Sequence, residues 1–562
     1  MEKFIVTAAL PYANGPIHIG HIAGAYLPAD IFVRYQKLKR NDVIFVCGSD
    51  EHGAAITLRA KKENNTPQEI IDLYHQKNKK SFESLNINFS IYHRTSSKLH
   101  HDTAQKFFKK LHSKGVFTKK SSKQFFDEEN NQFLADRYIK GRCPKCDFTE
   151  AYGDQCESCG SALSPIELIE PKSTISGKTP IMKETSHWFL PMEKNEKWLK
   201  EWIENGKIDG AIKHDPKKWK NNVLGQCKSW IDGGLQSRAM TRDLDWGVKV
   251  PLENELGKVL YVWLDAPIGY ISATKKWAEK ENKNWEHYWK DPESKLINFI
   301  GKDNIVFHCI IFPIILKEHG DYILPNNVPA NEFLNLEGNK LSTSRNHAIW
   351  IDDYITGFPE KEDVLRYVLC AIAPENKDSD FTWKDFQTRN NSELVAIFGN
   401  FVNRVVVLTN KYWKGSVPNR NEKTSKDEDI LKELTLYPDK IGHSINDYKF
   451  RDALFDLINI ARLGNKYLAE SEPWKLMKTN PSRTETILNI SLQIVYSLTV
   501  LCEPFLPKTS KKLCKILNTS FSSWDCAKNT NHLKPNHQIN QPEHLFEIIT
   551  DEKINEEINK LN

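Results

Sequence analysis

The sequence lacks an uninterrupted apolar segment of the length that crosses a membrane. Its longest apolar run, residues 305–316, contains His308 and Pro313 and is shorter than the ~20 residues that a transmembrane helix needs. The N-terminal residues 1–10 lack the basic start and the long apolar stretch of a signal peptide. We therefore expect a cytoplasmic protein without a membrane partner.

A large excess of charge of one sign is also missing. The 78 lysines and arginines, set against 73 aspartates and glutamates, leave a net charge of +5. This balance neither requires nor excludes a polyanionic partner, because binding depends on where the charges lie. The chain of 562 residues is 40% apolar and 11% aromatic, which supplies a large folded core and excludes wholesale disorder.

Four of the eleven cysteines form a cluster, and the other seven are scattered. Cys143 and Cys146 form one C-x2-C pair, and Cys156 and Cys159 form a second pair nine residues later. Each pair can place two thiolates about 2.3 Å from one Zn²⁺, and two pairs complete a closed tetrahedron without a position for substrate. We predict one structural zinc ion; the alternative is two unrelated pairs of reduced cysteines.

The apolar runs predict a parallel sheet followed by helices. Residues 4–10 and 43–47 are strand-like runs on either side of a stretch with helical spacing, which is typical of a strand–helix–strand unit. Further strand-like runs lie at 259–263 and 296–300, and apolar residues recur at helical spacing at 394–411, 448–469 and 484–505. The predicted fold is α/β, a doubly wound, Rossmann-like parallel sheet that is split by the zinc-binding insertion and followed by an all-α helical bundle.

The predicted domain boundaries follow from these changes of pattern. They are 1–120 for the first half of a nucleotide-binding domain, 121–236 for the zinc-binding insertion, 237–325 for the second half, 326–385 for a connecting region, 386–530 for the helical bundle and 531–562 for the C-terminal tail. The tail is rich in asparagine and lysine, and we expect it to be partly loose.

Two histidines stand where the first strand turns into the first helix. In His18-Ile19-Gly20-His21 the i,i+3 spacing puts both imidazoles on one helix face near the helix N-terminus, and Gly20 leaves room for a flat ligand. Backbone N–H groups and the helix dipole favour phosphate there, and ring N–H groups can donate to an oxyanion. Two ordinary surface histidines are an equally good interpretation of this motif alone.

A second motif lies at residues 340–345, after a glycine-bearing loop. It combines Lys340 with three hydroxyl side chains and Arg345, which suits a mobile clamp on a polyphosphate. A solvated basic loop is the alternative interpretation, and for this motif alone it is the better one.

Together the two motifs resemble those of class I aminoacyl-tRNA synthetases, and specifically the methionyl family. HIGH at residues 18–21 and KLSTS at 340–344 match the HIGH and KMSKS motifs, in that order around an insertion. The segments ALPYANG at 9–15, TRDLDWG at 241–247 and YVWLDAPIGY at 261–270, and the four-cysteine cluster, resemble the methionyl family in particular. The resemblance runs from about residue 4 to residue 510.

This resemblance implies an enzyme with a two-step reaction. ATP would activate L-methionine to methionyl-adenylate, and the methionyl group would then pass to the 3′-terminal adenosine of tRNA(Met). His18 and His21 would meet the charge on the ATP phosphates, and Lys340 would follow the leaving pyrophosphate, with Mg²⁺ sharing the charge. The implied ATP-binding residues are Gly20, Gly301, Lys302, Asp303, Ser342, Thr343 and Ser344. Thr343 replaces the second lysine of KMSKS, so no role is expected for that charge.

The resemblance also implies a methionine pocket and an anticodon contact. Asp50 would pair with the substrate ammonium, and the pocket residues would be Leu10, Tyr12, Trp263, Ala266, Pro267, Tyr270 and His308. Either His308 or Tyr270 would hydrogen-bond the sulfur. Plain core packing is the alternative for Trp263 and Tyr270. Trp474 matches the tryptophan that stacks on the anticodon, whereas Val407 and Lys411 fall at the family's asparagine and arginine positions. A monomer is expected.

Three rival interpretations were weighed. Another class I synthetase or a small adenylyltransferase shares the HxGH chemistry, but synthetases for branched aliphatic amino acids carry a larger editing insertion than residues 121–236 supply. A cysteinyl enzyme would use zinc beside its substrate. A zinc-ribbon RNA-binding protein without catalysis would not need His18, His21 and Lys340 together.

Overall fold

A computed structural model describes residues 1–134, 136–153, 156, 158–159, 161, 163–343 and 346–561, with the side chain of residue 136 left out. The order of elements is a parallel sheet with helices, interrupted by a mixed insertion, and then helices. This confirms the predicted fold class.

The central sheet is entirely parallel and is assembled from both sides of the insertion. Its strand order is Pro325–Asn327, Ser294–Gly301, Lys3–Ala8, Asp42–Ser49 and Ile91–Arg94. A sixth strand, Ala330–Asn331, also pairs with Ser294–Gly301. Lys3–Ala8 is buried from Phe4 onward, as expected of a strand covered by helices on both faces. The strands that follow Lys3–Ala8 in sequence are added first on one side of it and later on the other side, so the strand order reverses at Lys3–Ala8. The crevice at the carboxyl end of such a reversal is the expected ligand site of a doubly wound sheet.

Helices cover both faces of the sheet. They are Ile19–His21, Ile22–Tyr26 (π-helical), Leu27–Leu38, Ala54–Glu63, Pro67–Ser84, Lys98–Ser113, Val262–Glu281, Glu286–Trp289, Lys302–Asn304 (3-10), Phe307–Ile311 (π-helical) and Phe312–His319. The strand predicted at 259–263 is wrong beyond Leu260, because only Val259–Leu260 is extended and a helix begins at Val262. A short apolar run does not by itself distinguish a strand from a buried helix.

The insertion is built on antiparallel hairpins. Its strands are Thr118–Asp127, Gln132–Phe133, Ile181–Leu190, Arg238–Ala239, Ile139–Arg142, Ala151–Tyr152, Ile169–Ser173, Lys207–Ile208, Ala211–Ile212 and Thr241–Arg242, and its helical segments are Asp136–Tyr138, Pro165–Glu167, Met192–Asn195, Glu196–Asn205, Pro216–Lys218 and Asn221–Asp232. Thr241–Arg242 pairs with Val259–Leu260 and returns the chain to the sheet. The connecting region contributes the strands Leu334–Leu336, Asn339–Lys340 and Ser379–Phe381 and the helices Ile351–Gly357 and Glu362–Ala371.

The C-terminal region is helical. Its segments are Trp383–Arg389, Asn390–Gly399 (π-helical), Asn400–Trp413, Ser425–Asn446, Phe450–Ser471, Pro473–Leu476, Pro481–Leu501, Pro507–Ile516, Trp524–Lys528 (3-10) and Asp551–Asn559. By length and composition alone, Trp383–Trp413 and Pro481–Leu501 would pass as membrane spans, but the tested window of the second is 94% buried inside the protein, as in the core helix of a bundle.

The C-terminal tail is more ordered than the sequence suggested. Gln387 donates its side-chain amide to the carbonyl of Ile549 (3.1 Å) and to Asp551 (2.9 Å), and Asn391 donates to the same carbonyl (2.9 Å). These contacts dock the last helix, Asp551–Asn559, on Trp383–Arg389. Asparagine-rich composition suggested a loose segment because it does not reveal which amides find a partner elsewhere in the chain.

Candidate active site

One cavity of about 490 Å³ opens at the carboxyl edge of the sheet. Residues that the sequence analysis assigned to three different tasks line it together. They are His18, Gly20, His21, Lys340, Leu10, Tyr12, Asp50, Trp263, Ala266, Pro267, Tyr270, His308, Gly301 and Asp303. The histidine motif and the lysine loop, separated by more than 300 residues in sequence, therefore face one space.

The two histidines are fixed by backbone hydrogen bonds. His18 caps the helix Ile19–His21, and its Nδ1 accepts from the N–H of Gly20 (3.1 Å). His21 Nδ1 in turn accepts from the N–H of His18 (3.2 Å). Because each Nδ1 is an acceptor, each neutral ring carries its proton on Nε2. The ring centroids lie 3.8 Å apart, so the two Nε2–H groups form a pair of donors at the cavity.

Burial keeps both imidazoles neutral. It lowers the pKa of His21 to about 4, and burial together with the neighbouring His21 lowers the pKa of His18 well below its usual value. Neutral rings at pH 7 donate hydrogen bonds without carrying a charge, which suits groups that must meet an anion and release it.

Lys340 lines the same cavity as the histidines and lies on a hairpin. The strands Leu334–Leu336 and Asn339–Lys340 pair across a turn in which Glu337 (φ 47°) and Gly338 (φ 76°) are left-handed. Leu341 packs so closely over Gly20 that a Cβ on Gly20 would lie 2.6 Å from Leu341 Cδ1. A larger residue at position 20 would make Leu341 shift, so the absence of a Cβ on Gly20 allows the two motifs to lie this close.

Leu341 also lines the cavity, whereas Ser342 and Thr343 do not. Ser342 exchanges backbone hydrogen bonds with His347 (3.0 Å each), and the carbonyl of Thr343 accepts from Asn346 (3.3 Å). Ser342, Thr343 and Lys302 are not among the residues that line the cavity, and Ser344 lies outside the described residues. Lys302 Nζ pairs instead with Glu332 (2.7 Å) and with a second carboxylate, that of Asp378 (2.8 Å).

Asp50 is a buried carboxylate at the opposite end of the cavity. It follows the strand Asp42–Ser49 and is 4% exposed. Burial and the negative charge of Asp265 raise the pKa of Asp50 to about 8. A carboxylate in this condition gains stabilisation from an arriving cation, because a nearby positive charge favours its ionised form.

Tyr270 and His308 are paired with each other across the same end. His308 Nδ1 donates to the carbonyl of Asn304 (3.0 Å), so its Nε2 accepts the hydroxyl proton of Tyr270 (2.9 Å). Burial lowers the pKa of His308 to about 4, which keeps the ring neutral. Since both protons are used in this way, a thioether in the pocket meets aromatic faces rather than a hydrogen-bond donor from this pair.

Trp263 forms one wall of the cavity and contacts an aromatic ring and a guanidinium group. Its ring lies edge-to-face with Phe307 at 4.6 Å between centroids, and the guanidinium of Arg238, from the insertion, lies 4.9 Å from its centroid. The helix Val262–Glu281 places Trp263, Ala266, Pro267 and Tyr270 at the cavity.

The end of the strand Ser294–Gly301 supplies a further carboxylate. A Cβ on Gly301 would lie 2.7 Å from Asp303 Oδ1, so a larger residue there would displace this carboxylate. Burial raises the pKa of Asp303, and Asn304 donates its amide to Asp303 (3.0 Å).

Several residues that line the cavity were not predicted from the sequence. They include Tyr26, Asn304, Phe307, Glu332 and Asn335. Glu332 directly follows the parallel strand Ala330–Asn331, so its position at the carboxyl edge of the sheet was the available signal.

The four clustered cysteines converge in the insertion. The Sγ atoms of Cys143 and Cys159 lie 4.0 Å apart, those of Cys146 and Cys156 lie 3.6 Å apart, and all four Sγ atoms lie within 4.8 Å of one another. Four sulfurs about 2.3 Å from a tetrahedral zinc ion are about 3.8 Å from one another. The cluster can hold a zinc ion.

Trp474 lies at the start of the short helix Pro473–Leu476 and is half-buried. The guanidinium of Arg404 lies 4.9 Å from its ring centroid. Asn400 and Arg404 are an asparagine and an arginine one turn apart on Asn400–Trp413, and Arg404 is the residue of this pair that lies against Trp474. The i,i+4 spacing of Asn400 and Arg404 offers a second placement of the family's asparagine and arginine, and the placement at Val407 and Lys411 stays a prediction.

Family models match nearly the whole chain. A model described as tRNA synthetases class I (M) matches residues 4–406, and a model described as the anticodon binding domain of methionyl tRNA ligase matches residues 417–562.

Relatives and solved structures agree with the family models. The chain is 58% identical to a methionine–tRNA ligase of Flavobacterium johnsoniae over 588 aligned positions, which cover 100% of this chain and 82% of the relative. It is 59% identical to a methionine–tRNA ligase of Christiangramia forsetii, with 100% and 81% covered. Mycobacterium tuberculosis methionyl-tRNA synthetase in complex with methionyl-adenylate has the same fold, with a TM-score of 0.80 at 22% identity over 97% of this chain and 100% of that chain.

Proposed function

This chain belongs to the methionyl family of class I tRNA synthetases, and from that membership we propose that its cavity joins ATP and L-methionine to form methionyl-adenylate and then charges tRNA(Met). The observation that carries the proposal is the convergence of His18, His21, Lys340 and Asp50 on one cavity. A zinc-ribbon RNA-binding protein without catalysis has no use for that convergence.

The two ends of the cavity divide the chemistry. At the phosphate end, the Nε2–H groups of His18 and His21 donate to the oxygens on which charge builds as the methionine carboxylate attacks the α-phosphate of ATP. Lys340 accompanies the departing pyrophosphate from its hairpin. Mg²⁺, which arrives with ATP, shares the negative charge of the phosphates. Asp303 and Gly301 lie where the ribose and the nucleotide approach.

At the methionine end, Asp50 binds the substrate ammonium and aromatic rings enclose the thioether. Ion pairing stabilises the ionised form of Asp50, so methionine binding drives its proton out. Trp263, Pro267, Tyr270 and His308 surround the side chain, and sulfur–aromatic contacts contribute about 0.3–1.5 kcal/mol each.

The test is ATP–pyrophosphate exchange with each amino acid in turn. We expect exchange with methionine, and we expect Asp50→Asn to raise the methionine KM strongly while the protein still binds ATP. Exchange with another amino acid and none with methionine would overturn the proposed substrate.

The zinc ion is proposed as a structural group held by Cys143, Cys146, Cys156 and Cys159. The sulfur separations support this, and all four ligands come from the protein, so the ion has no open position for substrate. Elemental analysis should find about one zinc per chain in the wild type and less in a Cys143→Ser, Cys156→Ser double variant. The same zinc content in both proteins would contradict the assignment.

The anticodon contact is proposed at Trp474, with Arg404 beside it. The arginine covers part of the ring and adds a positive charge where a phosphate backbone would pass. We further propose that the protein is cytoplasmic, since translation consumes the product, and that it is a monomer. Sedimentation of the pure protein tests the monomer.

A further inference from the structure

Behind Asp50 lies a buried group of side chains that the reaction above does not use. Asp265 is fully buried between two histidines. His52 Nδ1 lies 2.6 Å from Asp265 Oδ2, and His100 Nε2 is hydrogen-bonded to Asp265 Oδ1. His100 Nδ1 in turn lies 2.9 Å from the hydroxyl of Ser272. His52, Asp265 and His100 are called the triad below.

The triad joins two elements of the methionine end to a helix that does not line the cavity. His52 stands two residues after Asp50 in the same loop, and its backbone N–H points at Asp50 Oδ1 (3.4 Å). Asp265 lies on the helix Val262–Glu281, which carries four of the pocket residues, and His100 lies on Lys98–Ser113. Asp265 thereby fastens the loop of Asp50 to the wall of the pocket.

The charges of the triad change the pKa of Asp50. Burial is the largest single effect and works against a charge on His52, but the charge of Asp265, its hydrogen bond to the ring and the charges of Asp50 and Glu51 together raise the pKa of His52. The His52 charge in turn lowers the pKa of Asp50, against burial and the charge of Asp265, which raise it.

Other titratable groups stand around the same site. Glu51 follows Asp50 and is paired with Arg94 (2.8 Å). Tyr270 faces Asp50 from the pocket wall, and His101 Nε2 lies 3.3 Å from His52 Nε2. Burial lowers the pKa of His101 to about 4 and raises that of Tyr270, so both are neutral at pH 7. Among the charges that act on Asp50, that of His52 is the one that lowers its pKa.

We propose that the triad is a positioning unit for Asp50, which fixes the loop that carries this carboxylate and supplies the positive charge that keeps it ready for the methionine ammonium. The inference rests on the proposed function, in which Asp50 binds that ammonium. It concerns residues that touch neither substrate, so their effect passes through Asp50.

The test is the pH profile of kcat/KM for methionine in His52→Gln. Glutamine keeps a hydrogen-bond donor for Asp265 but removes the charge, so the pKa of Asp50 rises and the acidic limb of the profile moves to higher pH. A shift of about one pH unit corresponds to about a tenfold higher methionine KM at pH 7, with kcat nearly unchanged. His75→Gln is the matched control, because His75 is also buried and lies 3.6 Å from a carboxylate, that of Glu51. It should leave the limb in place.

A second variant and a second measurement keep the inference testable if His52→Gln does not fold. Asp265→Asn removes a charge that raises the pKa of Asp50, so its acidic limb should move to lower pH, and the loss of charge on His52 should offset part of this shift. Calorimetry in buffers of different ionisation enthalpy should detect the proton that Asp50 releases when wild-type protein binds methionine at pH 7.

The outcomes separate the two proposals. An unchanged limb in His52→Gln, or an unchanged or higher limb in Asp265→Asn, would overturn the role of the triad. An Asp50→Asn variant with the wild-type methionine KM would instead overturn the proposed function itself.

Discussion

The two ends of the cavity are built in different ways. At the methionine end, Asp50, Tyr270 and His308 are between 2% and 4% exposed, and the last two already have their hydrogen bonds made. At the phosphate end, Lys340 is exposed and sits on a short hairpin. The buried end is arranged before substrate arrives and suits discrimination, whereas the exposed end can follow a leaving group. Variants at the exposed end should therefore lower kcat, and variants at the buried end should raise the methionine KM.

The largest effect is expected at the exposed end. Lys340→Ala should lower kcat of methionine-dependent exchange by about 10²–10³, because a donor to charge that develops in the transition state is worth roughly 3–4 kcal/mol. The methionine KM should stay near its wild-type value. Lys377→Ala, an exposed lysine that does not line the cavity, is the control. Equal losses in both variants would contradict the comparison.

A smaller and different effect is expected at the buried end. Tyr270→Phe leaves the buried Nε2 of His308 without its donor, which costs about 1–3 kcal/mol and should appear mainly as a higher methionine KM. Tyr288→Phe is the matched control, since its hydroxyl donates to Asp42 (2.9 Å) away from the cavity. If Tyr270→Phe lowered kcat and left KM unchanged, the division between the ends would be wrong.

The smallest effect is expected outside both ends. Trp474→Ala should raise the tRNA KM of aminoacylation about fivefold. This corresponds to a loss of about 1 kcal/mol of binding free energy, the lower limit for a stacked base, because Arg404 already covers part of the ring. Methionine-dependent exchange should be unchanged. Trp285→Ala is the control, because Lys275 lies 4.6 Å from that ring in a similar cation contact on the sheet domain. A loss of exchange in Trp474→Ala alone would show that the bundle acts on the cavity.

The sequence was most informative where local pattern and chemistry agreed. The strand–helix–strand unit was predicted because its apolar runs are short and flank a stretch with helical period, and the comparisons confirm the fold class and the family. His18, His21 and Lys340 face one cavity as the motifs required: the histidines lie at the carboxyl edge of the parallel sheet, and Lys340 is brought there by the separate antiparallel pair Leu334–Leu336 and Asn339–Lys340. Their individual roles stay predictions.

Features that depend on distant partners were not predictable in this way. Lys302 was assigned to ATP, but its ammonium forms ion pairs with Glu332 and Asp378. No local sequence pattern predicts those ion pairs. The triad joins His52, His100 and Asp265 across more than 200 residues, and each looks ordinary in its own segment. The helix start at Val262 was missed because an apolar run of five residues carries no period.

A structure of this chain with ATP bound is the most direct test of the central claim. The account predicts hydrogen-bond distances from the Nε2 atoms of His18 and His21 and from the Nζ atom of Lys340 to oxygens of the same triphosphate. A triphosphate that contacts the histidines while Lys340 points to a different surface, or the reverse, would contradict it.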